Sequence, residues 1–223
     1  MQAAAGRVLR AADDLGRLGV GQVDDEATDD RRTLLGRQRA DARPQLRLGA
    51  GPGAPECGVL CAEGSLAALD PGGTAAGFHA LPPLDSCRLV ELTRGPTTAD
   101  VAIDRSEQLF ATLGKHVEWV ADAPGLVLGR IVCQLVNEAA FALREGVGSA
   151  EDIDAGMLLG LNYPHGPLHW ADTIGLDHVL AVLDALADEY REERYRASPL
   201  LRHHVWAGRL GHATGAGFFD HDS

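Results

Sequence analysis

Residues 124–146, PGLVLGRIVCQLVNEAAFALREG, constrain the fold more than any other stretch. Val127, Ile131, Leu135, Ala139 and Leu143 recur about every four residues, the spacing of one stripe on an α-helix turned toward a core, and Gly146 supplies a stop. A helix this long and this apolar must be largely covered, so the chain needs partner helices, and the sequence downstream provides them. SAED at 149–152 reads as a capping box, with Ser149 as N-cap and Asp152 at the third helical position, and Gly160 as the expected end. Pro167 opens a further helix closed by Gly175, and Val179, Val182, Leu183, Leu186 and Tyr190 share one face of the next. Ser198, Pro199 and Gly208 repeat the cap, opening and stop. The second half is therefore predicted to be all-helical, with about five helices.

Upstream of residue 120 the pattern changes. Short β-type runs at 58–62, 75–79, 88–92 and 116–120, with a helix across 99–113, predict an α/β layer. Residues 31–55 are rich in Arg, Gly and Pro and read as loops around short elements. The boundary is placed so that 1–121 form the α/β part and 122–223 the helical part.

The chain has 223 residues, 45% of them hydrophobic, enough for a real core, and a net charge of −12. An acidic surface with no basic stripe argues against a nucleic-acid partner. The four cysteines, at 57, 61, 87 and 133, lack the paired spacing of a zinc site and the density of a secreted disulfide scaffold, so reduced thiols and no metal are expected. His203 and His204 are adjacent on a helix and point about 100° apart, which rules out joint chelation. His165 and His169 are separated by the helix start at Pro167, which breaks their common face. No run of about 18 apolar residues and no signal-like start is read, which places the protein in the cytoplasm and off the membrane.

A dinucleotide fold asks for GxGxxG after a strand and opening a helix. The nearest candidate, GAGPGAP at 49–55, carries prolines and no following helix pattern, and reads as a connector.

The run from residue 122 to 221, with LGLNYPHGPLHW and the closing GHATGAGFF, resembles the C-terminal helical domain of the 3-hydroxyacyl-CoA dehydrogenases. It is most similar to the second half of the two-halved members of aromatic-acid degradation, whose α/β domain is a shortened Rossmann-like one. The fold implied is a reduced Rossmann-like α/β domain followed by an all-α helical domain. In this family a strand ends in a His, a proline-containing turn follows, and a Leu-Val-Glu strand returns. Here these are His79, Pro82-Pro83 and Leu89-Val90-Glu91. The resemblance implies a catalytic pair: His79 as base for the 3-hydroxyl proton of a 3-hydroxyacyl-CoA, Glu91 orienting it, and NAD as cofactor. The two groups are expected side by side, within hydrogen-bond reach, in a cleft roofed by the helices.

Two family amides are missing, their places taken by Pro82 and Gly129. The family's Asn-Thr-Ser stretch corresponds best to Glu63-Gly64-Ser65, which leaves Ser65 as a substrate-binding hydroxyl. The implied partners are an acyl-CoA substrate and either a second copy of the chain or a full-length dehydrogenase subunit. Two functions stay open: an NAD-linked 3-hydroxyacyl-CoA dehydrogenase, or a catalytically weakened half that supplies an interface or completes the site of an active partner.

Overall fold

The computed structural model describes residues 22–23, 46–49, 56–73 and 75–221. The loops expected at 31–45 and most of the 49–55 glycine stretch lie outside the described residues.

Among the described residues six strands form one mixed sheet in chain order: β1 (Gln22–Val23), β2 (Leu46–Gly49), β3 (Glu56–Leu60), β4 (Ala76–His79), β5 (Leu89–Thr93) and β6 (His116–Trp119). β3 and β4 are parallel, β4 and β5 antiparallel, and β5 and β6 parallel. The parallel crossovers carry α1 (Leu66–Leu69) and α2 (Asp100–Thr112). Alternation along the strands separates two faces. Phe78, Val90 and Leu92 point to one and pack with Leu48 and, from α2, Phe110. Gly77, His79, Glu91 and Thr93 alternate with them and point to the other. Gly77 is required there, because a Cβ would lie 2.6 Å from Thr93 and 2.7 Å from the Cys61 sulfur.

The helical half comprises α3 (Leu126–Arg144), α4 (Ala150–Leu161), α5 (Pro167–Ile174), α6 (Leu176–Tyr190) and α7 (Pro199–Trp206). Its main core joins Val132, Cys133 and Val136 of α3 to Val179, Val182, Leu183 and Leu186 of α6, with Leu201 of α7 and Tyr195 closing it. The α6 stripe is the one read from periodicity. The α3 stripe holds only toward its end, where Ala139 is buried and Leu143 packs with it: Val127 and Ile131 are exposed, and the covered side also takes in Leu126, Gly129, Val132, Cys133, Val136 and Ala140. The reason is that α3 is apolar on both sides, so a four-residue spacing could not tell which side meets the core. By length and composition α3 could also cross a membrane, contrary to the sequence reading, although its inner side is packed within this fold.

The capping box at Ser149 and Asp152 forms as expected, with Ser149 Oγ accepting from Asp152 N–H and the Asp152 carboxylate accepting from Ser149 N–H. Gly160 does not end α4. The helix runs one residue further and stops at Asn162, whose φ of 53° is a left-handed conformation that Asn tolerates. Two buried aspartates tie the helical elements together. Asp154 accepts from Leu168 and His169 N–H at the start of α5, and Asp172 accepts from Phe218 and Phe219 N–H and pairs with His221 at 2.8 Å.

Candidate active site

His79 ends β4 and Glu91 lies directly opposite it on β5, as register partners of the antiparallel pair. Opposed residues project to the same face, so strand pairing alone brings together two side chains twelve positions apart. The turn between them contains a cis peptide at Pro82-Pro83. Its far end is held by Lys115, whose ammonium donates to the carbonyls of Leu84, Asp85 and Cys87 at 2.8, 2.9 and 2.7 Å.

The two groups are adjacent but are not hydrogen-bonded to each other, which corrects the expected contact. Glu91 instead accepts from the backbone N–H of Leu128 at 2.9 and 3.2 Å, with a further backbone contribution from Val127. The cause is the helix terminus: the first turn of α3 has unpaired N–H groups and a partial positive charge, a better partner for a carboxylate than a neutral imidazole. Burial raises the Glu91 carboxyl above its usual range, and the two backbone donors oppose that shift.

His79 has no exposed surface. Its Nε2 lies 3.2 Å from Nε2 of His178, a buried residue in the first turn of α6, with ring centroids 5.3 Å apart. Its Nδ1 has no hydrogen-bond partner among the described residues. Desolvation lowers its pKa to about 4, so the ring is neutral at pH 7. Among the described residues no open cleft reaches His79, where one was expected over the pair, because α3 and α6 close directly onto the ring.

Gly129 explains how the ring fits. A Cβ at 129 would lie 2.4 Å from Cε1, 2.8 Å from Nε2 and 3.0 Å from Nδ1 of His79. The imidazole fills the volume a side chain there would need, so the glycine at 129 and the buried ring are two aspects of one packing arrangement.

Ser65 is the N-cap of α1, buried, with its carbonyl accepting from Ala68 and Leu69 N–H. Helix α1 lies over Gly77, on the sheet face that carries His79, but Ser65 is not in hydrogen-bond contact with His79 or Glu91. Sequence reasoning missed His178, 99 positions from His79, and Thr93, on the same sheet face, whose buried hydroxyl has no partner among the described residues. A lone His in a helix and a Thr in a strand carry no signal of such a role.

The dinucleotide that the resemblance implies would need a glycine-rich turn and free helix N–H groups to take its pyrophosphate. Among the described residues no strand runs into a helix through a glycine-rich turn. The parallel strand β3 leads to α1, whose first N–H groups, on Leu66 and Ala67, are already given to the Asp122 carboxylate at 2.7 and 3.0 Å. The described residues therefore do not fit a pyrophosphate.

Residues 125–221 match the family model described as 3-hydroxyacyl-CoA dehydrogenase, C-terminal domain. The chain is 43% identical over 145 residues to a 3-hydroxybutyryl-CoA dehydrogenase of Bradyrhizobium diazoefficiens, which covers 65% of this chain and 50% of that protein. It is 40% identical over 146 residues to one of Clostridioides difficile, covering 66% and 52%. The crystal structure of (S)-3-hydroxybutyryl-CoA dehydrogenase from Ralstonia eutropha superposes with a TM-score of 0.64 at 39% identity, covering 74% of this chain and 60% of that one. The chain thus spans about half the length of the curated relatives it matches. The match over residues 125–221 and the identities with these relatives lead to one conclusion: this chain carries a C-terminal domain of the 3-hydroxyacyl-CoA dehydrogenase family.

Proposed function

We propose that the chain serves the oxidation of a 3-hydroxyacyl-CoA to the 3-oxoacyl-CoA in the cytoplasm, with His79 as the base that takes the 3-hydroxyl proton. The observation that carries this reading is the register pairing of His79 with Glu91, with the first turn of α3 lying across both. Burial keeps the imidazole neutral, the form a base must start from, while it also lowers the ring's basicity. Glu91 orients it through the backbone: by holding Leu128 N–H it fixes Gly129, the surface on which the imidazole rests. Ser65 is assigned a substrate contact from the resemblance. The relatives named as 3-hydroxybutyryl-CoA dehydrogenases make a short 3-hydroxyacyl-CoA the first substrate to try.

In this reading the family's hydride acceptor, NAD, is held by a second chain, either another copy or a full-length subunit. No hydride step is derived from the residues described. The test is to incubate the purified chain with NAD and 3-hydroxybutyryl-CoA, alone and mixed with a full-length relative whose own catalytic His is removed. Nicotinamide absorbance should rise in the mixture and stay flat with His79→Ala. A mixture that stays flat with the unmodified chain would end the reading.

A second reading is favoured by one observation, the complete burial of His79. Here the chain is a non-catalytic half that lends its helices to an active partner. It then forms a stable complex with the full-length subunit, and His79→Ala leaves that partner's rate unchanged.

A further inference from the structure

The closing segment of the helical half, from Gly211 to His221, is tied to α5 through one carboxylate. Asp172 accepts from the N–H groups of Phe218 and Phe219 at 2.8 and 2.9 Å and meets Nε2 of His221 at 2.8 Å, with its own side chain shut off from solvent. The fit is close: a Cβ at Gly217 would lie 2.0 Å from Asp172 Oδ1, and one at Gly211 2.1 Å from the Asp172 carbonyl oxygen. Held in this way, the segment lays Phe218 and Phe219 against Leu168, Ala139 and Ala150, where α5 meets α3 and α4.

Three imidazoles gather over that contact. His212 and His221, both in the segment, lie almost stacked, with ring centroids 3.8 Å apart and planes inclined by 32°. His169 of α5 stands 5.7 Å from His212 and 6.5 Å from His221. Asp172 touches His221, while Asp220 is turned to Arg209 at 3.0 Å. On α7, His204 lies 5.1 Å from the Phe218 ring and faces Arg209, with His203 next to it. Among the described residues, one carboxylate therefore serves three rings. A proton on His221 completes an ion pair with Asp172. A further proton on His212 stands against His221 across the stacked rings with no carboxylate of its own, and one on His169 faces both.

We propose that residues 211–221 form an acid-released latch: when more than one of His169, His212 and His221 is protonated, their mutual repulsion lifts the segment from α5 and uncovers the apolar seat of Phe218 and Phe219. The device is separate from the site around His79 and rests on neither reading of the chain's activity. Its direction agrees with the state of His212, whose pKa is lowered by desolvation and by the His221 and His169 rings, with Asp172 opposing. The free segment thus takes up protons more readily than the docked one, so docking is complete above about pH 6.5, the ordinary value of the ring, and weakens as the pH falls below it.

The experiment is amide hydrogen exchange on the full chain at pH 7.5 and pH 5.5, read as protection factors so that the intrinsic pH dependence of exchange drops out. Protection of the Phe218 and Phe219 N–H groups should fall by about fivefold in acid, the scale of two like charges about 4 Å apart in water. In His212→Gln the fall should shrink below about twofold, while the α6 amides respond to pH as they do in the unmodified chain. Salt at about 0.5 M should shrink it too, because His169 and His212 are exposed and their repulsion is screened. Should His212→Gln fail to fold, His169→Gln carries the same prediction. An equal fall in the variant, no fall in the unmodified chain, or a fall shared equally by α6 overturns the latch.

Discussion

At the scale of single residues, the burial of His79 has a cost that pH should reveal. Its pKa in the fold is about 4 against 6.5 for the free ring, so below pH 6.5 the unfolded chain binds a proton that the folded chain refuses. Stability is then complete above about pH 6.5 and falls as the pH drops toward 4, by up to roughly 3 kcal/mol from this ring. Glu91 is shifted the opposite way: its raised pKa favours the fold at acid pH and that contribution fades as the pH rises through the shifted value. His204 and His212 are lowered as well. The His79 share is therefore read as a difference: urea denaturation at pH 7 and pH 5 should show a shallower acid loss in His79→Gln than in the unmodified chain. Gly129→Ala tests the same packing from the other side. The added methyl has no space beside His79 and should cost about 1–3 kcal/mol by overpacking, seen as a lower melting temperature. The pairing of His79 with Glu91 was legible only through the family resemblance, since the spacing of the two residues does not by itself set the register of their strands. The contacts each makes were not, since they are with α3 and α6 and depend on how the helices dock.

At the scale of elements, the turn between β4 and β5 depends on one distant side chain. Lys115, at the start of β6, closes it with three hydrogen bonds to carbonyls. Lys115→Met should keep the aliphatic packing and lose those bonds, costing on the order of 1–3 kcal/mol and raising amide exchange through residues 84–88 while leaving α6 protected. The helix starts were readable where the device is local. Ser149 with Asp152, and proline at 167 and 199, act within one turn of the helices they begin. Gly160 misled because glycine in an exposed helix is tolerated at modest cost, and the true stop was the next residue able to take a positive φ, Asn162. The orientation of α3 was unreadable for a related reason: with apolar residues on both sides, only the packed neighbours decide which side is inner.

At the scale of the whole molecule, the outer side of α3 and the end of α4 remain apolar. Ile131 is 53% exposed, Leu159 87% and Leu161 60%, and Val147 between the helices is 74% exposed. Such side chains on a helical half that the family resemblance casts as a subunit interface point to self-association or to docking on a full-length subunit. Sedimentation equilibrium should find a dimer, and Ile131→Glu or Leu159→Glu should shift it toward monomer without lowering the helix content. The most direct test of the account's centre, that His79 is the proton acceptor of a 3-hydroxyacyl-CoA oxidation, is the rate of NAD reduction with 3-hydroxybutyryl-CoA by the mixture of this chain and a full-length subunit lacking its own catalytic His. That rate should fall by at least about 10²-fold when His79 becomes Gln, the scale of a lost general base. A His79→Gln mixture that turns over as fast as the unmodified one would contradict it.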